Sequence, residues 1–70
     1  QRPRDATLLA VLGQLCTQRE LWGKASQYLE ASLAVQSSRK AHVALALLYE
    51  KTGKLELAAR HFRASALEPI

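Results

Sequence analysis

One thiol, two imidazoles and six carboxylates are the side chains here most able to do chemistry. Cys16 stands alone, so no internal disulfide can form. No CxxC pair or cysteine–histidine cluster supplies the four ligands that a structural zinc takes. A reactive thiolate needs an electropositive, exposed setting, which the flanking Leu15 and Thr17 do not announce, so Cys16 reads as a small buried apolar group. His42 and His61 form no ligand-spaced pair and read as packing or surface residues. Asp5, the sole aspartate, suits a helix cap, while Glu20, Glu30, Glu50, Glu56 and Glu68 are scattered singly. Paired carboxylates, a glycine-rich phosphate loop and a nucleophile elbow are all missing. A Ser/His/Asp set would have to assemble from helix-surface residues with no pocket to hold it. The expectation is a protein without catalysis, metal or cofactor.

The elements that must position these residues are helices. The chain has 70 residues, 49% apolar and 23% charged, the balance of an ordinary globular domain rather than a disordered segment or a membrane span. Ten basic against six acidic residues give +4, but only Arg39-Lys40 adjoin as like charges, which is thin for nucleic acid. Methionine is missing even at position 1, so the chain reads as cut from a longer protein or processed. A chain of this size buries only about 60% of its unfolded surface, and its stability is marginal unless it pairs with something.

Pro3 and Pro69 lie near the ends, and the residues between them are mostly helix formers. Apolar residues at 8, 12, 15 and at 9, 12, 16 predict a helix over about 5–18. A second is predicted over about 21–35 with Leu21, Ala25, Tyr28, Leu29, Ser32 and Leu33 inward and a Glu20–Lys24 pair outside. Ser37 or Ser38 caps a third, about 39–51, which buries Ala41, Ala44, Leu45, Leu48 and Tyr49 and stops at Thr52-Gly53. The fourth, about 54–67, has Leu55, Ala58, Ala59, Phe62 and Ala66 inward, Glu56–Arg60 outward, and Pro69 as its stop.

Shifting the sequence by 33 positions superimposes its halves. Leu12 falls on Leu45, Gly13 on Ala46, Leu15 on Leu48, Ala25 on Ala58, Leu29 on Phe62 and Ser32 on Ser65. A period in the low thirties, built from two antiparallel helices, marks a helical repeat array. Small residues at 13, 25, 46 and 58 let paired helices approach closely.

Leu9-x-x-Leu12-Gly13-x-x-Cys16 followed by Ala25-x-x-x-Leu29-x-x-Ser32 resembles the tetratricopeptide repeat. His42-x-x-Leu45-Ala46-x-x-Tyr49 with Gly53, Ala58, Phe62 and Ser65 is similar to that family in its second copy. Glu20 replaces the first turn glycine, Ser37 the closing proline, and the spacing is one residue short of the family's 34. The resemblance implies an all-α module of two hairpins, about 6–38 and 39–70, a fragment of an α-α solenoid. It also implies a concave groove lined by the first helix of each repeat: Thr7, Ala10, Gln14, Thr17 and Gln18, then Lys40, Val43, Leu47, Glu50 and Lys51. Val43 and Leu47 between lysines give an apolar centre with a charged rim, as in a peptide groove. The family's carboxylate clamp needs Lys and Asn where Ala10 and Gln14 stand, which argues against a chaperone-tail receptor.

Leu21-Trp22-Gly23-Lys24-Ala25 with Tyr28-Leu29-Glu30-Ala31-Ser32-Leu33 is similar to the C-terminal repeats of the HemY family, proteobacterial inner-membrane proteins associated with haem biosynthesis. That resemblance implies a membrane-anchored parent with this domain cytoplasmic and haem-pathway enzymes as partners. In that setting Cys16, His42, Tyr49 and His61 are candidate axial ligands, but no attachment motif accompanies them. Trp22 reads as packing against a partner helix. The function expected is protein–protein interaction through the groove, with no membrane contact by this segment. The competing expectations are self-association through Leu8 and Val11 at one end and Phe62, Ala66, Leu67 and Ile70 at the other, and a weak basic nucleic-acid surface.

Overall fold

The computed structural model describes residues 5–68, and among them there are four helices and no strand. They are α1 (Ala6–Gln18), α2 (Trp22–Val35), α3 (Arg39–Lys51) and α4 (Leu55–Leu67). Pro3, Pro69 and Ile70 lie outside the described residues. The four helices form a serial ladder: α1 packs on α2, α2 on α3 and α3 on α4, and α1 only brushes α3. The result is a slab, 36 × 29 × 15 Å.

Caps set the helix starts. The Asp5 carboxylate accepts from the backbone N–H of Thr7 at 2.9 Å and of Leu8 at 3.2 Å, and the Ser38 hydroxyl accepts from Ala41 N–H at 3.2 Å. Of the two serines, Ser38 is therefore the cap; the Ser37 hydroxyl donates instead to the Glu68 carboxylate.

Both hairpins turn in the same way. At the end of α1, Glu20 N–H donates to Thr17 C=O and Leu21 N–H to Cys16 C=O, at 3.0 and 2.9 Å. At the end of α3, Gly53 N–H donates to Glu50 C=O and Lys54 N–H to Tyr49 C=O, at 3.2 and 2.8 Å. Each is a Schellman motif, which requires one residue in the left-handed region. Gly53 takes it at φ 82° without strain, whereas Glu20 takes it at φ 60° against its own Cβ. Leu21 and Lys54 then open the second helices with backbone angles of −89°, 72° and −90°, 72°. The 33-residue period of the sequence is thus a period of the backbone.

The core is thin. Ala25, Leu29, Ala41, Leu45, Ala46, Leu48 and Ala58 are buried, and more than half of them are alanines. Leu29, Leu45 and Leu48 supply most of its volume, with Trp22, Leu33 and Tyr49 packed around them. A Cβ placed on Gly13 would lie 2.5 Å from Leu29 Cγ and 3.3 Å from Ala25 O, so the small residue there admits α2 against α1. Ser32 is buried beside them and donates to Ala6 C=O at 2.8 Å, tying the far end of α2 to the first turn of α1.

Three expectations need correction. On α4 the inward side carries Leu57, Ala58, His61, Ala64 and Ser65, while Leu55, Ala59, Phe62 and Ala66 are exposed, because α3 takes the opposite side of the helix. Leu21 is likewise exposed, since it belongs to the turn. The Glu20–Lys24 and Glu56–Arg60 pairs are open: among the described residues the ion pairs within 4 Å are both histidine–glutamate. Glu20 stands outside the helix, where i,i+4 geometry does not apply, and exposed pairs repay little of the side-chain entropy they cost.

Two substitutions test the turn and the close approach by thermal unfolding. Glu20→Gly removes the left-handed strain and is expected to add about 1 kcal/mol, a rise in Tm of about 4–8 °C for a domain this small. Gly13→Ala is expected to destabilise by roughly 1 kcal/mol, because overpacking against the buried Leu29 exceeds the gain in helix propensity.

Candidate functional site

The largest cleft among the described residues runs between α1 and α3. It encloses about 580 Å³ and is lined by Gln14, Thr17 and Gln18 on one wall and Lys40, Val43, Ala44, Leu47 and Lys51 on the other. Lys40, Val43, Ala44, Leu47 and Lys51 recur at three- and four-residue intervals, so they form one stripe on α3. Seven of the ten residues expected to line the groove lie along this cleft, among them all but one of those expected from α3. Glu50 is the exception: it is exposed on the flank of the stripe beyond Val43 and does not reach the cleft. Ala44 takes part instead, unforeseen because its small side chain drew no attention on an otherwise inward helix face. Thr7 and Ala10 lie further along, in a second cleft with Arg39 and Lys40.

Chemically the cleft is an apolar floor between two cations. Leu47 is 46% exposed although it is a large aliphatic residue, and Val43 is half-buried. No carboxylate lines it, and Lys40 and Lys51 pair with no described carboxylate. The Thr17 hydroxyl donates to Gly13 C=O at 2.9 Å, which leaves the two glutamines as the polar wall.

A second polar constellation, missed in the sequence, joins α2, α3 and α4. His42 and His61 are 19 residues apart, yet their Nδ1 atoms are 3.0 Å from each other. Antiparallel folding about Thr52-Gly53 brings them face to face, and that folding was the signal in the sequence that could have found them. One Nδ1 must carry a proton and the other must not. His61 Nε2 lies 3.6 Å from Glu30, and Tyr49 donates its hydroxyl to the same Glu30 oxygen at 3.0 Å. His42 Nε2 lies 3.7 Å from Glu68 and 3.3 Å from the Ser37 hydroxyl. Tyr49 is therefore half-buried with an outward hydroxyl rather than a plain core residue, and its ring stacks on His61. Burial and the hydrogen bond to Glu30 push its pKa up to about 12. Cys16, expected to be buried, is half-buried on α1 and packs against the core.

Among the described residues no group of three or more His, Cys, Asp or Glu is placed to hold a metal ion, and no helix is long and apolar enough to cross a membrane. The cluster acts as a latch between three helices. Burial holds the His61 pKa below the ordinary imidazole value; the nearby positive charge of His42 and Arg60 lowers it too, against the opposing pull of Glu30. Comparison with protein-family models, with curated proteins and with solved structures finds no match.

The latch gives stability a pH dependence of definite sign. Unfolded, His61 takes up its proton near about pH 6.5; folded, it does so only at lower pH, so the unfolded chain binds more protons in that window. Stability is therefore full above that value and falls as the pH drops through it. A lower Tm at about pH 5.5 than at about pH 7.5, with the difference reduced in His61→Gln, is the expected result.

Proposed function

We propose that this chain is a non-catalytic protein-interaction module: two tetratricopeptide-type repeats, part of an α-α solenoid, that hold a partner's peptide segment between α1 and α3. The observation that carries the reading is the cleft, with the exposed Leu47 and the half-buried Val43 on its floor and a lysine at either end. Exposed aliphatic residues framed by charge at the core of a concave surface are how a peptide groove is built.

The chemistry selects the occupant. Lys40 and Lys51 are eleven residues apart on α3, about 16 Å along the helix axis. An extended peptide covers that distance in about five residues. The fitting ligand carries acidic residues at both ends of such a stretch and one or two large apolar side chains between them. The similarity of the Leu21–Leu33 stretch to HemY repeats supports a membrane-anchored parent of haem biosynthesis, with this module on the cytoplasmic side and enzymes of that pathway as partners. Nucleic acid fits the cleft poorly: two cations over an aliphatic floor offer phosphate little and bases no stacking surface.

Isotope-labelled chain titrated with a short Glu-Leu-rich peptide, and with its charge-reversed Lys-Leu counterpart, tests the reading by NMR. Shifts at Gln14, Lys40, Val43, Leu47 and Lys51 with the acidic peptide alone are expected. Lys40→Glu should weaken binding about tenfold, more at low salt than high, and Leu47→Glu should abolish it. Shifts that map elsewhere, or equal shifts with both peptides, would overturn the groove assignment.

A further inference from the structure

The interface inside the chain shows what its two ends are built to meet. Where the halves join, Trp22, Gly23 and Ser26 of α2 share a cleft with Leu48, Tyr49 and Thr52 of α3. Leu29 and Leu33 continue that face of α2, while Ala41, Ala44 and Leu45 continue that of α3. The backbone repeats after 33 residues, so each of these positions has a counterpart at an end of the ladder.

Carried forward by 33, the α2 face becomes Leu55, Ala59, Phe62 and Ala66 of α4, all exposed. Leu55 is 65% and Phe62 38% accessible, high values for side chains of their size. Carried back by 33, the α3 face becomes Leu8, Val11, Leu12 and Leu15 of α1. Three of these are roughly half exposed. Leu15, Cys16 and Arg19 already line an open cleft with Leu21, which matches one half of the internal one. Each end thus presents one side of an interface whose other side is at the opposite end.

We propose that copies of this chain associate head to tail, the α1 face of one seated on the α4 face of the next as α3 is seated on α2 within the chain. Two features beyond apolarity select a second copy as occupant. The first is volume. In the internal interface, where the end of α2 meets the start of α3, the bulk is on α2, in Leu33, and the small Ala41 and Ala44 are on α3. At the corresponding place between copies it is on α1, in Leu8 and Val11, opposite Ala66 of α4, a compensating exchange of the kind that preserves packing. The second is charge. The internal neighbours Gly23 and Thr52 map onto Glu56 and Arg19, so the intermolecular contact acquires an acid facing a base where the internal one is neutral. The thin, alanine-rich core gives the association a purpose: a repeat pair buries too little by itself, and stacking extends one continuous core. The contact is heterologous, so it does not close at two copies, and assembly continues to a ring or a filament. The peptide cleft between α1 and α3 stays open throughout.

Sedimentation velocity on the 70-residue chain at rising concentration tests this, with circular dichroism to verify the fold of each variant. Wild type should shift progressively to larger species. Val11→Glu and Phe62→Glu, both surface substitutions, should each remain monomeric, because an unpaired charge in the contact weakens it by roughly a hundredfold. An equimolar mixture of the two should give a dimer and nothing larger, since each variant keeps the face that the other has lost. Arg19→Glu should loosen wild-type assembly about three- to tenfold, and Glu56→Arg in the same chain should restore it. A wild type that is monomeric at every concentration overturns the proposal. So does a dimer that persists in either single variant and gains nothing on mixing, which would mean like faces pairing.

Discussion

Leu29 is the side chain on which both hairpins depend. On one side it covers the open backbone of Gly13, which fixes how closely α1 and α2 approach. On the other it joins Leu45 and Leu48, the only large aliphatic residues of α3 that are fully buried. A fully buried leucine contributes about 2–3 kcal/mol of transfer free energy. In a core whose other large side chains are only Leu45 and Leu48, that is a large share of a marginal total. The spacing of the α1–α3 cleft follows from it, because α1 and α3 scarcely touch each other and are held apart by what lies on α2.

The fold was legible because every level of the sequence agrees. Caps at Asp5 and Ser38, turns ending at Glu20 and Gly53, and small residues at 13 and 46 all repeat at one interval. The errors share a cause. Leu55, Ala59, Phe62 and Ala66 make as good an apolar stripe as the face that α4 buries, and periodicity does not say which of two stripes meets a neighbour. Only the position of α3 decides it. The histidine pair was hidden for a related reason. His42 and His61 are ordinary in isolation, and their proximity is a property of the hairpin rather than of any local spacing. Most groove residues were legible because the lining of a helix is set by its own periodicity. Glu50 failed because it is at the margin of that stripe, where a small rotation of α3 moves a side chain in or out.

The polar latch and the apolar core divide the work within the second hairpin. Phe62 replaces Leu29 in the repeat but faces away from α3, so α4 is held to its neighbours through Ala58, Ser65 and the hydrogen bonds of His42, His61, Tyr49 and Glu30. Hydrogen bonds demand specific geometry and contribute less net free energy than packing, about 1 kcal/mol each. The second hairpin is thereby positioned more by orientation than by burial. It also leaves the bulkier apolar residues of α4 free to face outward.

That exchange links the two surfaces of the molecule. A ladder in which each helix packs mainly on its neighbours leaves apolar residues exposed in two places here: on the side between α1 and α3, and at the ends. The concave side is polar at its walls and apolar on its floor at Val43, Ala44 and Leu47, which suits a narrow ligand held for a time. The ends carry larger, continuous apolar stripes, which suit a permanent neighbour. Because one period of 33 residues generates both, a substitution such as Leu47→Glu alters the cleft without reaching an end, and Phe62→Glu does the reverse. The proposed ligand capture and the proposed assembly are therefore separable by single residues, even in a chain with so small a core.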